Sequence, residues 1–162
     1  MPFKHYLPVL IFFPLAVIQL TIIPLISIDH VGPDLIVVLL VYYTLMNGQV
    51  YGTILGFVLG LLFDLISGGL LGSAMFAKTL AGFSAGYFYN ENKIEQNVGT
   101  MIFIFIVFVC SAIDSFAYSV LAYSGTGINT VFLIFEMSIL PGVYTAILTF
   151  PFLIFKTRKI MS

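Results

Sequence analysis

Charge is what this chain has least of. Only 8% of its 162 residues are Asp, Glu, Lys or Arg, while 60% are apolar and the mean hydropathy is +1.13. A soluble domain carries about 25% charged residues. This chain has too little polar surface for a soluble globule and too much apolar content for a disordered one. A polytopic helical membrane protein remains. Net charge is −1, so no bulk field draws nucleic acid. The single cysteine, Cys110, lies in an apolar run, and alone it can neither close an internal disulfide nor build a thiolate metal site. The two histidines, His5 and His30, fall in different segments, so neither a metal centre nor a cofactor is expected. No arginine precedes Arg158, which leaves lipid-pyrophosphate chemistry without its usual phosphate-binding groups in the spans.

Length sets the next limit. A membrane helix takes roughly 20 residues. Six would use about 120 and leave about 40 for every loop and both ends, so no extramembrane domain fits. The expectation is one polytopic membrane domain over 1–162, in which any enzyme would have to work inside the bilayer.

The apolar runs predict helices at 6–26, 34–46, 50–66, 70–89, 98–123 and 130–155. The first follows Lys4 and is too long for a signal-peptide core; it reads as a retained helix bent at Pro14. Turns are expected at Ser27 to Pro33, at Asn47-Gly48-Gln49, at Ser67-Gly68-Gly69 and at Ser124 to Asn129, with the most polar loop at Asn90 to Asn97. With six spans, Lys4, Lys93, Lys156, Arg158 and Lys159 share one side and the opposite loops carry no Lys or Arg, so both termini read as cytoplasmic. Tyr6, Tyr42, Tyr43, Tyr51, Tyr87 and Tyr89 sit near that same boundary, as an aromatic belt would. A re-entrant hairpin of runs two and three would leave four spans with the same orientation; six is preferred, because re-entrant backbone must be sheltered by protein.

Gly48, Gly52, Gly56, Gly60 and Asp64 recur every four residues. Glycine at this spacing admits a neighbouring backbone. The next helix has a matching stripe of Ser73, Ala77, Ala81 and Ala85, with Gly82 and Gly86 beside it. These two helices are therefore expected to form a tight antiparallel hairpin. The plain reading is packing within one subunit; the sharper one is that part of the stripe docks a partner helix.

Four ionisable residues fall inside predicted spans: Asp64, Lys78, Asp114 and Glu136. Each is costly in hydrocarbon and a functional candidate for that reason. Asp64 is placed near the outer end of its helix, Asp114 in an outer half, and Glu136 about two turns below the outer end of the last helix. Lys78 starts deeper, but side chains lean toward a helix N-terminus, so it reaches outward. The expectation is an Asp64–Lys78 ion pair with Asp114 or Glu136 near it. Such a cluster either fixes helix register or lines an outward-facing polar pocket. Catalysis is disfavoured: Asp64 lacks the GxGD pattern of presenilin-like proteases, and the Asn- and Arg-containing motifs of lipoprotein signal peptidases are absent.

The stretch from Pro33 to Gly86 resembles MreD, the small membrane subunit of the bacterial rod-shape, or elongasome, system. The likeness rests on Pro33-Asp34-Leu35, Gly48, Tyr51-Gly52, Gly56-Phe57, Gly60-Leu61, Asp64, Ser67-Gly68, Leu71-Gly72, Leu80, Gly82-Phe83 and Ala85-Gly86. Many members carry basic residues where this chain has Asn47-Gly48-Gln49, so one inner anchor is missing here. The resemblance implies a non-enzymatic protein of the bacterial cytoplasmic membrane. Its implied partners, besides the lipid bilayer, are MreC and, through the complex, RodA, the elongation-specific penicillin-binding transpeptidase and MreB. Its implied role is support of lateral peptidoglycan synthesis and cell shape. The family is also similar to the six-helix substrate-binding subunits of energy-coupling-factor vitamin transporters. That likeness supplies the alternative function, although their alanine-x-x-x-alanine patch is missing from a first helix that holds only Ala16.

Overall fold

A computed structural model describes residues 3–27, 32–122 and 135–160, with side chains excepted at 3–5, 135 and 152–160. Helices joined by short turns make up the described residues, with no strand among them. α1 (Phe3–Thr21) runs continuously through Pro8 and Pro14. Its interruption comes at Ile22, before the short α2 (Ile23–Ile26), and not at Pro14. Pro24 sits in the first turn of α2, where its missing N–H is tolerated. The later elements are α3 (Leu35–Asn47), α4 (Gln49–Ser67), α5 (Ser73–Gly86), α6 (Ile94–Gly99), α7 (Met101–Ala122) and α8 (Leu140–Ile160). A one-turn 3-10 segment, Glu91–Lys93, precedes α6, and a π-helical turn, Phe135–Ile139, precedes α8. The expected turn at 124–129 and the start of the 130–155 run lie outside the described residues.

α3 occupies the centre. Val37, Val41 and Leu45 pack on Ala85 of α5, Val98 of α6 and Phe103, Ile106 and Val107 of α7. Ile36 and Leu40 pack on Phe12 and Ala16 of α1, Leu55 and Leu59 of α4, and Ala81 of α5. α3 buries one broad face, through Ile36, Val37, Leu40, Val41, Thr44 and Leu45, while Val38, Leu39, Tyr42 and Tyr43 are half-buried. Its limits are chemical. Asp34 caps the start, accepting from Ile36 N and Val37 N at 2.9 and 3.2 Å. Gly48 ends it and begins α4 in one step; its φ of +99° is open to glycine and strained for other residues.

The expectation of six membrane spans is met only in part. Among the described residues, two helices are long and apolar enough to cross a membrane, Gln49–Ser67 and Met101–Ala122; Tyr6–Thr21 and Leu35–Asn47 are shorter apolar helices. The 13 residues of α3 reach about 20 Å, against a hydrocarbon core of about 30 Å.

The surface inverts the usual arrangement. Leu10, Val17, Ile54, Phe57, Phe105 and Ile147 are exposed, while Asp64, Lys78, Asp114, Ser111, Thr145 and Thr149 are buried. The excess of apolar side chains faces outward, as a helical protein surrounded by lipid requires.

Candidate functional site

The site begins with the approach of α4 and α5, the most closely packed helix pair in the fold. A Cβ placed on Gly56 would collide with the carbonyl of Lys78, one on Gly60 with that of Ala74, and one on Gly82 with that of Gly52. As positions rise by four along α4, their counterparts fall by four along α5, so the helices are antiparallel and touch backbone to backbone. Gly52 and Gly86 make further approaches, to the Thr44 side chain of α3 and to Gln49. The five glycines singled out in the sequence, Gly52, Gly56, Gly60, Gly82 and Gly86, thus face neighbours inside this chain.

Asp64 closes one end of the hairpin. Its carboxylate is 2% exposed and accepts from three backbone N–H groups at the start of α5: Gly72 at 2.9 Å, Ala74 at 3.1 Å and Met75 at 3.0 Å. The loop lets it do so. Ser67 ends α4, Gly68 turns the chain with φ +66°, its N–H bonding the Asp64 carbonyl, and Gly72 holds φ +100° just before the helix. A carboxylate on a helix N-terminus answers both the unpaired donors and the dipole. The expected Asp64–Lys78 pair is therefore not formed, because the backbone donors take up both Asp64 oxygens first.

Lys78 pairs elsewhere. Its Nζ lies 2.5 Å from Asp34 Oδ2 and 3.3 Å from Asp114 Oδ2, and 5.6 Å from the Phe63 ring centre. Lys78 and Asp114 are 2% and 4% exposed. Asp34 splits its work: Oδ1 caps α3 and Oδ2 takes the ammonium. The group continues through α8. Thr145 Oγ1 accepts from Asp34 N at 3.0 Å and from Ser111 Oγ at 3.1 Å, and donates to the Pro141 carbonyl at 2.7 Å. Gln19 of α1 donates to the Pro33 carbonyl and accepts from Leu35 N. Five helices, α1, α3, α5, α7 and α8, are tied through one polar knot.

Two carboxylates share one ammonium, and Asp114 Oδ1 is buried with no hydrogen-bond partner among the described residues. Of the four residues singled out as an intramembrane cluster, Lys78 and Asp114 meet, Asp64 stands apart as a cap, and Glu136 is exposed on the π-helical turn. Asp34 is the member missing from that set. The signal was present: an Asp after Pro33, just ahead of an apolar run, is an N-cap position, and a capping carboxylate keeps a second oxygen free.

The sequence model of one family, described as rod shape-determining protein MreD, matches residues 3–159. The chain belongs to the MreD family. No curated protein and no solved structure matches it, so the expected likeness to vitamin-transporter subunits gains no support. Of the positions on which the resemblance rests, the Pro33 carbonyl accepts from Gln19, Asp34 caps α3, and Ser67, Gly68 and Gly72 make the turn that joins α4 to α5.

Proposed function

We propose that this MreD-family chain is a non-enzymatic scaffold of the rod-shape complex in the bacterial cytoplasmic membrane. In this reading α1 with α2, α3, α4, α5, α7 and α8 make six crossings, with both termini cytoplasmic. The short α3 and α5 are accommodated by local thinning of the bilayer, which costs only fractions of a kcal/mol per Å of mismatch. The scaffold binds the membrane helix of MreC and, through the complex, serves RodA, the elongation-specific transpeptidase and MreB.

The observation that carries the reading is how the buried ions are used. Asp34, Asp64 and Lys78 are each held by fixed partners that tie helix ends together. Such groups specify one arrangement of helices, the best-attested use of buried ions. A rigid body with an apolar exterior is suited to presenting a shaped surface to another membrane segment.

The test is depletion combined with co-purification. Loss of the protein should round rod-shaped cells, and the tagged full chain should retain an MreC-like single-span protein in mild detergent. Normal cell shape on depletion, with saturable binding of a vitamin-sized ligand by the purified protein, would transfer the assignment to the transporter class.

A further inference from the structure

α7 and α8 touch closely at one level and part below it. A Cβ on Gly142 would stand 3.2 Å from the Phe108 carbonyl. Toward the start of α7 the helices leave a groove of about 610 Å³, lined by Met101, Phe105 and Phe108 on one side and Ala146, Ile147 and Phe150 on the other. Ala146 provides the room, since its neighbours Ile147 and Phe150 are large and exposed. The groove has almost no polar lining, and its open side carries the exposed Met101, Phe105 and Ile147.

What lies at its end is different in character. α8 continues through Lys156, Arg158 and Lys159. Helical spacing puts position 158 three turns beyond Ile147 on the same face, about 12 Å along the axis from Phe150. Ahead of α6, the short helix that packs on both α7 and α8, Lys93 is exposed between the exposed Glu91 and Glu95, so the net positive charge at this end comes from α8. An apolar slot thus runs toward a concentration of positive charge at the same end of the bundle. Basic residues at the cytoplasmic mouth of a gap between membrane helices suit an anionic headgroup, and the gap suits an acyl chain.

We infer that this groove binds an anionic phospholipid, its acyl chain between α7 and α8 and its phosphate at the basic end of α8. The charge excludes a zwitterionic lipid as the preferred occupant. It also argues against a partner helix, which would need acidic residues at that depth. The inference rests on the chain lying in a bilayer and is independent of which proteins it binds.

The chain has no tryptophan, so one introduced residue reports cleanly. Phe105→Trp places the probe in the groove; Phe57→Trp, exposed on α4, reports bulk lipid. Each full-length variant is reconstituted in phosphatidylcholine vesicles with a tenth of the lipid brominated on its acyl chains, as either phosphatidylglycerol or phosphatidylcholine. Brominated phosphatidylglycerol should be enriched about fivefold over brominated phosphatidylcholine at position 105, the factor that one basic residue near a charged lipid supplies. The two should quench equally at position 57. Lys156→Gln, Arg158→Gln and Lys159→Gln together should abolish the excess, and Ala146→Phe should do so by filling the groove. Equal quenching by both lipids at position 105 overturns the inference, as does an excess that survives the triple change. Shielding of position 105 from both lipids also overturns it, by showing that protein covers the groove.

Discussion

The ion knot makes a quantitative prediction. Lys78→Met removes the ammonium and keeps most of the side-chain volume. Asp34 would lose one contact but retain two backbone N–H groups on its other oxygen, and its side chain is 19% exposed. Asp114 Oδ2 would lose the ammonium, and among the described residues its other oxygen already has no partner. Stripping one member from a buried pair costs about 3–5 kcal/mol, and most of it should fall on Asp114. Neutralising that carboxylate as well, in Lys78→Met with Asp114→Asn, should recover a large part. The coupling between positions 78 and 114 should be at least about 1.5 kcal/mol, within the range for directly contacting residues. Lys78→Met with Asp64→Asn should be additive within about 0.5 kcal/mol, because Asp64 bonds to backbone and not to Lys78. The assay is equilibrium unfolding of the purified full chain in mixed micelles, followed by circular dichroism. A 78–114 coupling below about 0.5 kcal/mol, or a larger one between 78 and 64, would refute the geometry.

Asp34→Asn should leave the α3 cap intact while weakening the tie to Lys78, whereas Asp34→Ala should cost about 1 kcal/mol more in the same unfolding assay, the usual value of an N-cap. Gly56→Ala and Gly60→Ala should each destabilise by about 1–3 kcal/mol, since each Cβ meets a backbone carbonyl that cannot rotate away; Gly99→Ala, with open space around it, should change little. Asp64→Ala should cost more than an ordinary cap, above about 2 kcal/mol, by orphaning three N–H groups together, and should raise amide exchange at Gly72, Ala74 and Met75 first. In a Cys110→Ser background, a cysteine at Asn92 should label from the cytoplasmic side and one at Ser124 from the outside; inside labelling of Ser124 would exclude the proposed orientation.

Much of the helical pattern was legible because hydropathy is decisive when the helices are largely apolar and the exposed polar residues gather between them. The runs at 34–46 and 50–66 fall on helices Leu35–Asn47 and Gln49–Ser67. The glycine spacing identified the hairpin, since backbone contact at every fourth residue leaves a strict local signature. Partner choice was not legible. Depth alone put Asp64 and Lys78 at one level, but depth ignores what lies closer. The opening turn of α5 offers unpaired N–H groups within a loop's length of Asp64, and a nearby backbone donor is cheaper to reach than a lysine one and a half turns into the helix. Glu136 misled for a different reason. Its apolar neighbours suggested a regular span, whereas the chain there forms a π-helical turn that leaves its side chain exposed. The pairing of Asp34 with Lys78 joins residues 44 positions apart, and no local pattern encodes it.

That long-range pairing bears on why so hydrophobic a chain keeps buried charge at all. Apolar residues of similar volume would often be as stable at such a site. They would not distinguish one rotation of α5 from another, because lipid tails and neighbouring helices are equally apolar and packing alone gives shallow preferences. The knot removes the ambiguity. Lys78 reaches its partners in one rotation of α5; Asp34 links that rotation to the start of α3; Thr145 links it to α8, and Ser111 to α7. Rotating α5 by one residue would strand an ammonium and two carboxylates together, at a cost well beyond the approximately 0.6 kcal/mol typical of a single interhelical hydrogen bond in a membrane. Glycine contacts set how close α4 and α5 lie, and the ions set how they are turned. A single, fixed arrangement of the helices needs both.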